Sequence, residues 1–236
     1  MVLTFFLFNE SSIRFEEDLK LDAQMNRSFI RVLRRLKLEK PILIAGFPGI
    51  GEIGSIVAKM FIEFSQAELF GDLYSPAFQD FVFIDKNGIC HPPRYEFYAA
   101  RKSRDLIILT GDGYPALEDV SGHYEICSEI LDFVEKFGCK FIIAMDGALM
   151  PVSHEEIYVA ATSERIVSQY IERGASLYRN KRIIGLTGLL LGLAEKRGLE
   201  GACLLASTPG YKKDRKAAFR VYKFLTNFLK NNLQDH

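Results

Sequence analysis

"PILIAGFPGIGEIGSIVAKMF", residues 41–61, decides how the rest of this chain is read. The apolar run "ILIAGF" has the length and composition of a buried strand. It enters a turn rich in glycine. Beyond the turn, Ile53, Ile56, Val57, Met60, Phe61 and Phe64 recur at three- and four-residue spacing, the apolar stripe of an amphipathic helix. Gly49-Ile50-Gly51-Glu52-Ile53-Gly54 also satisfies G-x-G-x-x-G. Two readings compete. A dinucleotide-binding turn needs an acidic residue about 20 positions on, at the end of the next strand. Glu68 and Asp72 stand near that distance, but "AELFGDLYSPAF" reads as a poor buried strand. Pro48 sits inside the turn, and Glu52 complements the helix dipole where a phosphate would be repelled. In the structural reading, Gly46, Gly49 and Gly51 supply positive φ angles or close chain approach, and Gly54 lets the helix lie on the sheet. The structural reading is the expectation. Backbone N–H groups at the helix start can still attract an anion, so Gly46, Gly49 and Gly51 stay in a candidate ligand pocket.

Outward from this stretch, strand-like and helix-like runs alternate. "FVFID" and "ICH" flank Lys86-Asn87-Gly88, a hairpin signal in which Asn-Gly supplies the positive φ angles. "YEFYAA" alternates like a strand, and "DLIILTGD" reads as a buried one. A helix with Ile126, Ile130, Phe133, Val134 and Phe137 ends at Gly138. "KFIIAMDGA" is a strand again. "RIIGLTG", "LLLGLAEKRG" and "EGACLLAST" read as strand, helix and strand, and a last helix covers about 213–231. Buried strands separated by helices imply an α/β domain, and the hairpin makes its sheet mixed. Residues 1–40 read as an appendage packed on the domain of residues 41–236. "LTFFLF" suggests a strand, and "MNRSFIRVLRRLKLEK" suggests a helix with Phe29, Ile30, Leu33 and Leu36 on one face and a basic remainder.

Composition narrows the function classes. The 236 residues carry 30 Lys+Arg and 30 Asp+Glu, so no global charge directs the chain to nucleic acid or membrane. No apolar run approaches the length that spans a bilayer. The start, "MVLTFFLF", lacks a basic n-region and a small-residue cleavage site, so no signal peptide is expected. The four cysteines match no zinc spacing and read as reduced core residues of a cytoplasmic protein.

The polar residues that could carry chemistry are Asp112, Glu118, Asp119, His123, Asp146, Ser153, His154, Glu155 and Glu156. Asp112 and Asp146 each follow an apolar strand and precede or adjoin glycine. That is the strand edge where α/β sheets bind ligands, so both join the candidate pocket. The competing reading is Asp-Gly turn chemistry. No H-x-x-x-H, H-E-x-x-H or G-x-S-x-G pattern occurs, so no metal, no cofactor and no hydrolase triad is expected. "STPGYKKDRKAA" offers hydroxyls and cations near a helix start, with Asp214 as its cap.

"GFPGIGEIGSIVAKMFI" and "GLTGLLLGLAEKRGLEGACLLASTPGYKKDRKAA" together, with Gly111-Asp112 between them, resemble the proteasome assembly chaperone family, in particular the archaeal homologues of its second member. The likeness covers about residues 40–230. It implies a three-layer α/β/α sandwich similar to purine nucleoside phosphorylases, homo-oligomers, a role in handling proteasome subunits, and no known catalytic centre. The first 40 residues depart from the family pattern. So do Gln234, Asp235 and His236, which stand where some members carry a hydrophobic-Tyr-any tail that docks on the proteasome ring. The leading expectation is a non-enzymatic, homo-oligomeric chaperone-like protein. The alternatives are a nucleoside phosphorylase-like or nucleosidase-like enzyme or purine binder, and a dinucleotide-binding module.

Overall fold

The computed structural model describes residues 26–101, 104–116, 118–150 and 156–231. The strand expected in "LTFFLF", the candidates Ser153, His154 and Glu155, and the tail at 234–236 lie outside these. Among the described residues, nine strands make one sheet in the order β1 (Phe29–Val32), β3 (Glu68–Tyr74), β6 (Tyr95–Arg101), β7 (Asp105–Gly111), β2 (Ile42–Ala45), β8 (Phe141–Leu149), β11 (Glu200–Thr208), β9 (Ile157–Ala161) and β10 (Ser176–Leu177). The centre, β7-β2-β8-β11, is parallel. On one side β1, β3, β6 and β7 pair antiparallel, and on the other β9 runs against β11. The sheet is therefore mixed, as expected, but for another reason. The hairpin strands β4 (Phe83–Ile84) and β5 (Cys90–His91) form their own small sheet instead of joining the large one.

Helices cover both faces, giving the three layers. The period of two along the central strands splits the core. Leu43, Ala45, Ile107, Leu109 and Ile142 face helices α2 (Val120–Glu135) and α4 (Leu186–Lys196). Ile42, Ile44, Ile108, Ile143 and Met145 face α1 (Ile53–Ser65), α3 (Glu164–Ile171) and α5 (Arg215–Asn231). Of the apolar stripe read in residues 53–64, α1 buries Ile53, Val57 and Phe61, while Phe64 is exposed. Gly138, at φ 74°, ends the turn after α2.

Three sequence expectations need correction. Residues 29–32 form no helix; they are edge strand β1, because pairing with β3 satisfies their backbone and Phe29 stacks on Tyr74 across the pair. "AELFGDLY" is not a poor buried strand: Phe70 to Leu73 of β3 are buried. Its Asp72 tolerates burial because Arg31 grips it through Nε at 3.0 Å and Nη2 at 2.6 Å. "RIIGLTG" forms no strand. Tyr178 to Gly185 run as a loop along a cleft, and β10 precedes them. Strand β9 and helix α3, capped by Ser163 accepting from Ile166 N, had no counterpart in the sequence reading.

Candidate functional site

The parallel centre creates the site. From β2 the chain crosses to the α1 face, and from β7 it crosses to the α2 face. Such a switch opens a crevice beyond the carboxyl ends of the strands. Here it is a cleft of about 520 Å³ between the glycine turn, the end of β8, the loop 178–185 and the start of α4.

The glycine turn already holds an anion, and that anion is Asp146. Its Oδ1 accepts from Ile50 N at 2.9 Å and from Gly147 N at 2.7 Å, and Thr187 Oγ1 stands 3.4 Å from Oδ2. One carboxylate thus ties the turn, β8 and α4 together. Gly49 is needed because a methyl there would stand 2.5 Å from Asp146 Oδ1. Its φ is extended, not positive as one form of the expectation had it. Gly51 does adopt a positive φ of 64°. Gly54 lets α1 approach the sheet, since a methyl on it would meet Met145 O at 2.3 Å. Gly46 backs onto Gly54, at 2.1 Å by the same measure. Glu52 forms an ion pair with Lys213 at 3.0 Å.

The acid required by the dinucleotide fingerprint is engaged elsewhere. Asp72 is bound to Arg31, and its strand lies three places from β2, beyond β7 and β6. Asp146 is no turn residue. It lies within β8 and is nearly buried, which pushes its pKa up to about 6 although the two backbone N–H groups pull the other way.

Of the residues proposed for the pocket, Gly49 and Asp146 line the cleft. Gly46 and Gly51 do not line it; Gly46 packs on Gly54, and Gly51 lies near Thr208 and Asp214. Asp112 lies elsewhere. The alternation along β7 and β8 turns Asp112 toward α1 and Asp146 toward α4, on opposite faces. Asp112 accepts from Arg94 N at 2.8 Å, in a separate depression with Lys59, Glu63 and Glu96. Asp119 is the cap of α2, accepting from Gly122 N. Asp214 caps α5, as expected, accepting from Ala217 N at 3.0 Å and Thr208 Oγ1 at 2.9 Å. Glu118 is exposed, and Glu156 N donates to Ser207 Oγ at the entry to β9.

His123 does line the cleft, with Tyr95, Tyr114, Tyr178, Lys181 and Arg182. The sequence reading named only His123 among these. The tyrosines carried no signal because each belongs to a different element. Arg182 lay in what read as a strand, and Lys181 just before it. Cys127, Cys139 and Cys203 are buried free thiols, while Cys90 is exposed on β5 rather than in the core. Among the described residues no group of three or more His, Cys, Asp or Glu could hold a metal ion, and no helix is long and apolar enough to cross a membrane.

Comparison with known proteins bears on this arrangement. The model of the PAC2 family matches residues 43–235. Pyrococcus furiosus PbaB, an archaeal proteasome activator, superposes with a TM-score of 0.83 at 34% identity, covering 89% of this chain and 94% of PbaB. P. furiosus PbaA, an archaeal homolog of proteasome-assembly chaperone, superposes with a TM-score of 0.73 at 25% identity, covering 86% of each chain. The uncharacterized protein MJ1210 of Methanocaldococcus jannaschii is 31% identical over 187 residues, 78% of this chain and 72% of that protein.

Proposed function

The chain belongs to the PAC2 family, and from that premise we propose a non-enzymatic, chaperone-like protein that acts through protein contacts, as a homo-oligomer, on proteasome subunits. Its similarity to PbaA and PbaB over most of both chains supports the proteasome connection. The observation that carries the reading is the apolar surface left uncovered. Phe81, Val82, Ile84 and Ile89 are exposed on and beside the hairpin, and Leu149, Ile184 and Tyr211 at the strand-end face. Ile84 is 62% exposed, and Ile184 77%. Contiguous apolar surface of this kind marks contact sites on soluble proteins. The hairpin patch is assigned to a second copy of the chain, because among the described residues its two short strands pair only with each other.

The test has two arms. Light scattering at micromolar concentration should give an oligomer for the wild type and a smaller species for Val82→Glu/Ile84→Glu. Pull-down against free proteasome α-subunits should retain them on the wild type. A wild-type monomer by light scattering removes the homo-oligomer. Failure to retain any free subunit, with oligomers intact, removes the proteasome role.

A further inference from the structure

The cleft beside β8 holds polar groups that the fold does not use. Tyr95 on its wall is 1% exposed, and its hydroxyl has no hydrogen-bond partner among the described residues. A buried hydroxyl normally finds one. His123 is nearly buried, and its Nδ1 faces Asp119 O at 2.8 Å. A carbonyl can only accept, so Nδ1 carries the proton and the neutral ring keeps Nε2 as an acceptor. No described protein group takes that nitrogen. The start of α4 closes the same wall. Its cap is Gly185, which has no side chain to offer, and the Asp146 carboxylate stands at Thr187 in the first turn of this helix. At the mouth stand Lys181 and Arg182, both exposed, and neither has a carboxylate within ion-pair distance among the described residues. Lys181 is held over the Tyr178 ring, 5.4 Å from its centroid, and Nζ lies 3.3 Å from Met150 Sδ.

We infer that this cleft binds a small phosphorylated molecule of about mononucleotide size. Its phosphate lies at the mouth between Lys181 and Arg182, and its body lies over Phe47 and Tyr95. The volume falls within the range of small-ligand sites, roughly 300–1,000 Å³. Two cations supply several N–H donors, which suits the terminal oxygens of a phosphate ester. Phe47, Tyr95 and Leu205 line the inner part and favour a planar or apolar body. Tyr95, His123 and Asp146 line the same cleft, where the body's hydroxyl or amino groups would meet them. Asp146 is kept to the body, because a carboxylate beside the phosphate would repel it. Its Oδ1 remains committed to the glycine turn.

The full chain is titrated with AMP, adenosine and inorganic phosphate, by thermal shift and by calorimetry. A ligand bound only by the folded state raises the melting temperature saturably. AMP should do so, and adenosine and phosphate should each bind at least about tenfold more weakly. Lys181→Ala/Arg182→Ala should melt where the wild type does without ligand, because both side chains are exposed, and should lose about tenfold or more in AMP affinity. Tyr95→Phe removes only the unpartnered hydroxyl and should weaken AMP severalfold. Three results overturn the inference. One is no saturable shift with AMP or phosphate up to about 10 mM, a concentration at which weak millimolar binding shows. Another is AMP affinity unchanged in both variants. The third is adenosine binding as tightly as AMP.

Discussion

Replacing Gly49 with alanine tests whether the glycine turn exists to receive a carboxylate of its own chain. The added methyl would stand 2.5 Å from Asp146 Oδ1 and 2.9 Å from its Cγ. Ordinary contact distances begin near 3.5 Å, so the carboxylate must retreat by about an ångström. That retreat lengthens the bonds from Ile50 N and Gly147 N, now 2.9 and 2.7 Å. A hydrogen bond to a charged group contributes about 1.5–3 kcal/mol, and crowding a packed interior costs about 1–3 kcal/mol. Partial relaxation brings the sum to about 3 kcal/mol. In a chain of this length each kcal/mol moves the melting temperature by about 2–4 °C, so a fall of about 6–12 °C is expected. Scanning fluorimetry and urea titration both report it. Asp146→Ala removes the group struck, so Gly49→Ala/Asp146→Ala should lose at least about 1 kcal/mol less than the two single changes added. Gly192→Ala is the control. Gly192 lies mid-helix, exposed, with open space around its Cβ position, and alanine there should stabilise by about 0.5–1 kcal/mol. A Gly49→Ala protein melting within about 2 °C of the wild type, or strict additivity with Asp146→Ala, refutes the reasoning.

The buried Asp146 also predicts a pH dependence. Its pKa rises from the ordinary 3.8 to about 6 in the fold. Between those values the folded chain keeps a proton that the unfolded chain has released, so stability falls as pH rises through this window and levels off above it. The span corresponds to about 3 kcal/mol. Asp146→Asn keeps an acceptor for Ile50 and Gly147 without titrating, so urea midpoints of the two proteins should diverge between about pH 4 and 6; parallel profiles contradict this. Arg31→Ala should leave Asp72 buried without its cation. The Arg31 side chain is 43% exposed, so the full penalty for breaking a buried pair is discounted to about 2 kcal/mol. The urea midpoint should fall and recover in part with Asp72→Asn, and a loss under about 0.5 kcal/mol would show that the pair does not hold β1.

Much of this architecture was legible in the chain. Apolar runs of strand length and 3,4-spaced stripes are local signals, and they marked β2, β6, β7, β8, β11, α1, α2 and α5. The punctuation was local too: Gly88, at φ 80°, turns the hairpin, although Asn87 does not share the positive φ expected of the Asn-Gly pair, and Asp214 caps α5. What failed was what depends on a distant partner. Residues 29–32 fit a helical stripe, and only the open edge of β3 made them a strand. Asp72 spoiled the appearance of β3 until Arg31, 41 residues away, neutralised it. The site divided in the same way. Apolar runs that end in glycine or aspartate already showed that such residues gather at the carboxyl ends of parallel strands. Only the tertiary structure decided which of them meet, because a single residue's parity along its strand turns Asp112 to one face of the sheet and Asp146 to the other. The glycine turn followed the same rule. Its need for glycine is local, but the anion it receives is Asp146, delivered from a strand 96 residues further along the chain.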